Sequence, residues 1–360
     1  MPQPFPAAAV PLLLDWYRQN RRDLPWRESR DPYRVLVSEI MLQQTRAETV
    51  KPYFHRFLAT LPTVADLAEA EEPTLLKLWE GLGYYSRVRN LQKAARAVMD
   101  KHNGDIPADF DALLALPGVG RYTAGAVASI AFDIPVPAVD GNVLRVLARL
   151  MGDDTDILSS SAKKNAEEAL APHVPAPGAG DFTQSLIELG ALICTPGNDP
   201  KCNDCPLHLL CEANREGKQS ELPVRLVKTK RRVEERTVLV IRWRDGEGHA
   251  YVALRKRPPE GLLGGLYEFP CMDGHADEGD VRVHLSSCGL SVGEAEKLPA
   301  AKHLFSHIEW RMIGYSVELT APPPSVEDWF FAEVSELDKY YALPSAYGAY
   351  RPTAFQCSLE

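Results

Sequence analysis

Between Leu12 and about Arg215, apolar residues recur three and four positions apart, as in Leu75-Leu76-Leu78-Leu82 and Leu144-Val146-Leu147-Leu150. That spacing predicts an almost wholly α-helical half. Within it, helices are expected at Phe110–Ala115 and Tyr122–Phe132, on either side of Leu116-Pro117-Gly118-Val119-Gly120. Two more are expected at Val143–Leu150 and Phe182–Ile193. After Glu221 the pattern changes to β-branched and aromatic runs bounded by Gly, Asp and Pro: Thr237–Trp243, Tyr251–Leu254 and Phe305–Leu319. These predict strands in a sheet-containing α/β half. Between the halves lies a polar stretch with Lys228, Lys230, Arg231 and Arg232. The expected organisation is a helical domain over 1–220, a basic linker over 221–235 and an α/β domain over 236–360.

The chain has 360 residues, 45% of them hydrophobic and 25% charged. This is the composition of an ordinary globular protein and excludes disorder, collagen and a membrane bundle for the chain as a whole. Near Leu12-Leu13-Leu14 the apolar run is broken by prolines and Asp15, with no basic residue ahead of it. Neither a signal peptide nor a spanning helix is expected, so the chain reads as cytoplasmic, without a membrane partner. The net charge of −9 argues against a polyanion partner, but it is unevenly spread. Residues 225–257 carry 11 basic side chains against 4 acidic ones, and residues 85–101 carry 5 against 1. Either stretch suits a phosphate-binding surface or a solvated face.

Cys194, Cys202, Cys205 and Cys211 stand close together in a chain whose compartment does not favour disulfides. Four such thiols form a metal-site pattern open to zinc or an iron–sulfur cluster, set against unligated buried cysteines. The single Cys-x-x-Cys pair points toward iron–sulfur. Lys201 and His208 would ride on the same loop.

Gly118 and Gly120 allow backbone conformations that present consecutive N–H groups to an anion beside a helix start. Asp140-Gly141-Asn142 precedes the helix at Val143, so Asp140 is either an ordinary N-cap or a carboxylate held ionised by backbone donors and the helix end. Glu39 lies among Leu36, Ile40 and Leu42. If it faces inward, the apolar surroundings raise its pKa and make it a general acid; if outward, it is a solvated glutamate. A neutral carboxyl and an ionised one together suit cleavage of a glycosidic bond, the acid protonating the leaving group and the anion steadying an oxocarbenium-like sugar.

The ordered motifs Leu24-Pro-Trp-Arg27, Ser38-Glu-Ile-Met-Leu-Gln-Gln-Thr45, Gly81-Leu-Gly-Tyr-Tyr-Ser-Arg87, Leu116–Thr123, Val139-Asp-Gly-Asn-Val143 and the cysteine cluster span nearly the whole chain. Together they resemble the adenine DNA glycosylase family, helix-hairpin-helix iron–sulfur enzymes that act on adenine mispaired with 8-oxoguanine. The resemblance implies a multidomain fold: an all-α helix-hairpin-helix glycosylase domain with its hairpin at 110–132, a 4Fe-4S cluster module at 194–211, and an α/β Nudix-like domain that reads 8-oxoguanine. It implies double-stranded DNA carrying adenine opposite 8-oxoguanine or guanine as the partner of a monomer.

Carried over by position, Glu39 matches the acid that protonates adenine at N7, and Asp140 the carboxylate that stabilises the C1′ cation. Asn142 matches that carboxylate's polar partner. Tyr122 falls where bifunctional relatives place a Schiff-base lysine; a phenol forms no imine, so the enzyme is expected to be monofunctional. Trp26 and Arg27 would line the adenine pocket, while Gln44, Thr45, Leu82 and Tyr84 would meet the duplex at the lesion. Phe305, Ser306 and His307 match the segment that reads 8-oxoguanine, a base whose N7 has become a donor that a serine hydroxyl can accept. Cys194, Cys202, Cys205 and Cys211 match the cluster ligands. The loop between the first two is one residue longer than usual, and Leu144 stands where relatives often have a basic residue.

Three other readings compete. A pyrimidine-damage glycosylase and lyase resembling endonuclease III is disfavoured by Tyr122 and by the long second half. A DNA-binding protein without catalysis leaves both carboxyls unexplained. A Nudix hydrolase lacks its box, since no Arg-Glu-x-x-Glu-Glu follows Gly261–Pro270. Cys271, Cys288 and Cys357 are expected to be free thiols without function.

Overall fold

The computed structural model describes residues 2–226 and 230–356, so Lys228 and Cys357 lie outside the described residues. The chain divides into two compact units. Met1–Ala70 and Ser86–Lys228 form the first, and Glu71–Tyr85 and Thr229–Glu360 the second. No helix among the described residues is long and apolar enough to cross a membrane.

The first unit is helical, as the periodicity predicts. It contains α1 (Ala9–Asn20), α2 (Pro32–Leu42), α3 (Ala47–Thr60) and α4 (Val64–Glu69). The segment from Glu71, with α5 (Glu72–Leu78), belongs to the second unit. The first unit resumes with α6 (Ser86–His102), α7 (Phe110–Leu114), α8 (Arg121–Phe132), α9 (Gly141–Met151), α10 (Ser160–Leu170), α11 (Ala179–Leu192) and α12 (Glu212–Glu216). Local signals set the ends that matter. Asp31 caps α2 by accepting from the Arg34 N–H at 2.8 Å, with Pro32 in the first turn. Asp133 and Gly152 end α8 and α9 in the left-handed conformation. The apolar faces of α1, α9 and α11 share one core around Leu13, Leu147, Leu150, Phe182 and Leu186.

The second unit is built on a seven-stranded sheet: β1 (Arg232–Arg244), β2 (Ala250–Lys256), β3 (Tyr267–Glu268), β4 (Cys271–Asp273), β5 (Val292–Leu304), β6 (Ile308–Leu319) and β7 (Trp329–Glu333). The main order is β3-β2-β1-β6-β5, with β4 on β1 and β7 on β2. β1 and β6 run parallel from Arg232↔Ile308 to Arg242↔Glu318, and the other pairings are antiparallel. Both sheet faces are covered. Val238, Val240, Trp310 and Met312 pack beneath the C-terminal Leu337, Tyr347 and Tyr350, whereas Leu239, Ile241 and Val317 face Val281 and Leu285 of α13 (Glu278–Ser287). Burial on both sides explains why β1 reads as a continuous apolar run rather than an alternating one.

Three expectations change. Phe305–Leu319 is not one strand: Phe305, Ser306 and His307 form the turn between β5 and β6, closed by the Phe305 N–H donating to the Ile308 carbonyl at 2.8 Å. The stretch 221–235 is not all linker, because Arg232–Glu235 already pair with Ile308–Arg311. Residues 71–85, read as part of the helical domain, group with the second unit. Lys77, Glu80 and Tyr84 bond there to Tyr341, Leu343, Arg351 and Ser306, and helical periodicity carries no information about such long-range partners.

Candidate active site

In the first unit, α2, α8, α9 and α11 enclose a cavity of about 1290 Å³ lined by Trp26, Arg27, Glu39, Tyr122, Asp140 and Glu188, among others. Glu39 is on the inward face of α2 and 6% exposed, which settles its orientation. The Tyr122 hydroxyl donates to Glu39 Oε2 at 2.7 Å. Burial pushes the Glu39 carboxyl up to about 7; the nearby Asp140 adds to the rise, while the Tyr122 hydrogen bond and Arg27 oppose it. The same burial, with Glu39 close by, holds the Tyr122 phenol well above its ordinary range.

Asp140 is the N-cap of α9. Its Oδ1 accepts from the Val143 N–H at 2.7 Å and its Oδ2 from Asn142 Nδ2 at 3.0 Å. The sequence suggests a carboxylate held ionised by these donors; burial raises its pKa from the ordinary value, and the donors with Arg145 offset only part of that rise. Low-dielectric surroundings outweigh a helix end when the carboxylate faces a cavity instead of bulk water. Asn142 is itself oriented, since its Oδ1 accepts from an Arg145 nitrogen at 2.9 Å. Arg145 also donates to the Gly190 and Cys194 carbonyls.

Trp26 is buried edge-on to Phe54, and Gln44 and Thr45 follow the end of α2 at the cavity wall. Gln44 is a non-glycine residue at φ +58°, a left-handed backbone that neighbouring structure must impose. Gly118 takes φ +75°, and a Cβ there would come within 2.5 Å of Asn90 Cβ. Gly120 starts α8 with no side-chain cap and with open space where a Cβ would stand, leaving the first-turn N–H groups approachable by an anion. Leu82, Tyr84, Phe305, Ser306 and His307 belong to the second unit. There the Tyr84 and Ser306 hydroxyls are 2.8 Å apart, and Phe305 packs edge-on against Trp310. Leu82 is buried, contrary to expectation for a duplex-contacting side chain; its N–H donates to the Trp79 carbonyl in a tight turn.

Cys194, Cys202, Cys205 and Cys211 follow α11, and Cys194 lies close enough to the other three to influence their titration. Burial pushes the Cys205 thiol up to about 12 and raises Cys202 and Cys211 as well. Arg149 donates to Cys194 Sγ at 3.5 Å and to the Thr195 and Gly197 carbonyls, which ties α9 to the longer first loop. Among the described residues no group of three or more His, Cys, Asp or Glu side chains is arranged to hold a metal ion.

The HhH-GPD superfamily of base excision DNA repair proteins matches residues 37–172, and a NUDIX domain matches residues 237–350. An adenine DNA glycosylase of Rattus norvegicus is 36% identical, over 87% of this chain and 71% of its own length. That coverage at that identity decides the question. The chain belongs to the adenine DNA glycosylase family. The adenine DNA glycosylase of Buchnera aphidicola subsp. Baizongia pistaciae is 33% identical over 82% of either chain. A solved structure entitled thermostable thymine-DNA glycosylase superposes with a TM-score of 0.53 at 32% identity, over 58% of this chain and 96% of that one. This adenine DNA glycosylase family member is therefore a DNA N-glycosylase with a helix-hairpin-helix domain followed by a Nudix-like domain.

Sequence reasoning missed part of this glycosylase's cavity. Glu188 on α11 is fully buried and bridges Arg22 and Arg27, which donate to its two oxygens at 2.8–3.2 Å. Burial alone would raise the Glu188 carboxyl, yet hydrogen bonds from Arg22 and Arg27 hold it at about 2. Arg27 also donates to Gln184 Oε1 at 3.0 Å. The available signal was an acidic residue interrupting the apolar run Phe182–Ile193, one helical turn beyond Gln184.

Proposed function

We propose that the chain hydrolyses the N-glycosidic bond of adenine mispaired with 8-oxoguanine or guanine in duplex DNA, leaving an abasic site. The observation that carries this reading is the pairing of Glu39 and Asp140 in one cavity, the first held by a phenol and the second by a helix N-terminus. With its pKa near 7, Glu39 carries a proton on a large fraction of molecules at neutral pH and can give it to N7 of a flipped adenine. Protonation makes the base a neutral leaving group. As the bond breaks, positive charge develops at C1′, and the Asp140 carboxylate, with Asn142 and the Val143 N–H holding its oxygens, is placed to stabilise it. Water then adds at C1′, and Glu39 recovers a proton. The buried Glu188–Arg27 pair and Trp26 suit the hydrogen-bonding edge and flat face of a purine.

Tyr122 offers no amine, so no Schiff base forms and strand cleavage by β-elimination is absent; the enzyme is monofunctional. The open N–H groups after Gly120 take a DNA phosphate, Gln44 and Tyr84 enter the stack, and Ser306 accepts the N7–H of 8-oxoguanine. All these residues belong to one chain, which acts as a monomer.

The four cysteines are a donor set suited to a 4Fe-4S cluster: four soft thiolates in one loop module, with the Arg149 guanidinium beside them to offset negative charge. When bound, the cluster supplies a covalent brace for the loop carrying Lys201 and His208. Because burial raises the Cys202, Cys205 and Cys211 thiols, ligation must displace their protons.

Single-turnover cleavage of duplexes with adenine opposite 8-oxoguanine, guanine or thymine, followed by alkali, tests the proposal. Rapid cleavage of the first, slower cleavage of the second and almost none of the third is expected. Asp140→Asn should abolish cleavage while duplex binding persists. Failure to cut the first duplex defeats the reading, and loss of binding in step with activity would mark Asp140 as a structural cap only.

A further inference from the structure

The loop bearing Tyr84 is fastened at two places within the second unit, and only one of them belongs to the lesion-reading residues named above. At its tip the Tyr84 hydroxyl meets Ser306 Oγ at 2.8 Å. Its base is held by Glu80, which stands just before the first glycine of the Gly81-Leu82-Gly83-Tyr84 turn. Glu80 Oε1 accepts from the Leu343 backbone N–H and from an Arg351 guanidinium nitrogen, both at 3.1 Å. Its Oε2 accepts from Lys77 Nζ at 2.5 Å, and that ammonium also reaches the Tyr341 carbonyl at 3.3 Å. The Glu80 side chain is 14% exposed, so these charge-assisted bonds are largely shielded from solvent. The turn between the anchors is tightly folded: Gly81, Gly83 and Tyr84 all have positive φ, and Trp79 Nε1 donates to the Gly83 carbonyl at 3.1 Å. A turn of this kind transmits the position of its base to its tip.

We propose that Glu80 is a positioning residue for recognition of the base opposite adenine. Its carboxylate locks the 81–84 turn to the 341–343 segment and to Arg351, so that Tyr84 and Ser306 meet the lesion pair as one preset surface. This inference rests on the reading of Ser306 as the acceptor for 8-oxoguanine and adds what holds its neighbour in place. Glu80 touches neither base nor sugar, and its removal acts by letting the turn drift from the Phe305–His307 turn. Guanine presents an acceptor at N7 where 8-oxoguanine presents a donor, so the bond that Ser306 accepts from 8-oxoguanine does not form opposite guanine, and cleavage there depends less on the preset pair.

Single-turnover rates with adenine opposite 8-oxoguanine and opposite guanine, measured on the full chain, test this. For Glu80→Ala and for Arg351→Ala, the ratio of the two rates should fall about tenfold, the scale of one well-formed charge-assisted contact, with the guanine-opposed rate changing less than about threefold. Arg351→Lys should recover part of the ratio. The double variant should lose little more than Glu80→Ala, since that change already removes the Arg351 contact together with those to Leu343 and Lys77. Thermal unfolding of each variant accompanies the kinetics. An unchanged ratio in Glu80→Ala, alongside a lost ratio in Ser306→Ala, overturns the positioning role and leaves the Ser306 reading intact. Equal loss of both rates together with a lowered unfolding temperature makes Glu80 merely structural and also overturns it. An unchanged ratio in Ser306→Ala removes the reading on which the inference rests, and the inference with it.

Discussion

Glu39 shows how one residue's environment sets both chemistry and stability. Its carboxyl is buried against α8, takes a single hydrogen bond from Tyr122, and is raised to about 7. Protonation is what the proposed acid step requires, so activity should fall as pH rises through about 7. Glu39→Gln, which keeps the shape and cannot donate a catalytic proton, should slow cleavage by roughly 10²–10⁴-fold. The stability sign follows from the direction of the shift. A carboxyl raised in the folded state stabilises the fold fully below its unfolded value near 4.5, and that contribution is lost as pH rises toward 7. Glu39→Gln should therefore be more stable than the parent at pH 8, by up to ~3 kcal/mol, with little difference at pH 4. Chemical denaturation at the two pH values checks this; a variant less stable than the parent at pH 8 would show that the fold does not raise the Glu39 carboxyl. Sequence could name Glu39 and its apolar neighbours, but not whether it pointed inward, because about two residues of helix phase, half a turn, separate the two outcomes.

At the scale of elements, α9 joins the two chemical centres of the helical unit. Asp140 caps its first turn, Arg145 reaches Asn142 and the Cys194 carbonyl, and Arg149 reaches Cys194 Sγ and the loop beyond it. Motif spacing identified Asp140 and the cysteines separately. The arginines between them read only as charged positions on an amphipathic helix, because a hydrogen bond over some 45 residues leaves no periodic trace. The cysteine module itself carries a testable expectation: the purified protein should be brown, with visible absorbance and stoichiometric iron and acid-labile sulfide. A colourless protein with stoichiometric zinc would overturn the iron–sulfur assignment. The hairpin is a case where local pattern sufficed. Gly118 needs φ +75° and close approach to Asn90, and the pentapeptide already announced a turn with that freedom.

For the whole molecule, the net charge of −9 is a poor guide to DNA binding, since the basic residues of 85–101 and 225–257 are concentrated. What meets a polyanion is local surface, and an acidic remainder weakens any hold that depends on charge alone. Binding to undamaged duplex should consequently be weak and fall more than about tenfold between 50 and 200 mM salt, while lesion-containing duplex resists longer. Titrations at several salt concentrations measure the slope; a flat dependence would contradict a phosphate-dominated encounter.

By itself the sequence determined what depends on neighbours along the chain: helices in the first half, strands in the second, the glycine turn, the Asp140 cap and the grouping of four cysteines. Its ordered motifs also pointed to the family that comparison then established. Tertiary structure alone decided what depends on partners far apart in the chain. It turned Glu39 inward against Tyr122, placed the fully buried Glu188 between Arg22 and Arg27, raised rather than lowered the Asp140 carboxyl, folded Phe305–His307 into a turn, and moved residues 71–85 into the second unit. The reason is physical. Periodicity and capping are written into short windows of sequence, whereas desolvation, ion pairing and long-range hydrogen bonding depend on which side chains packing brings together.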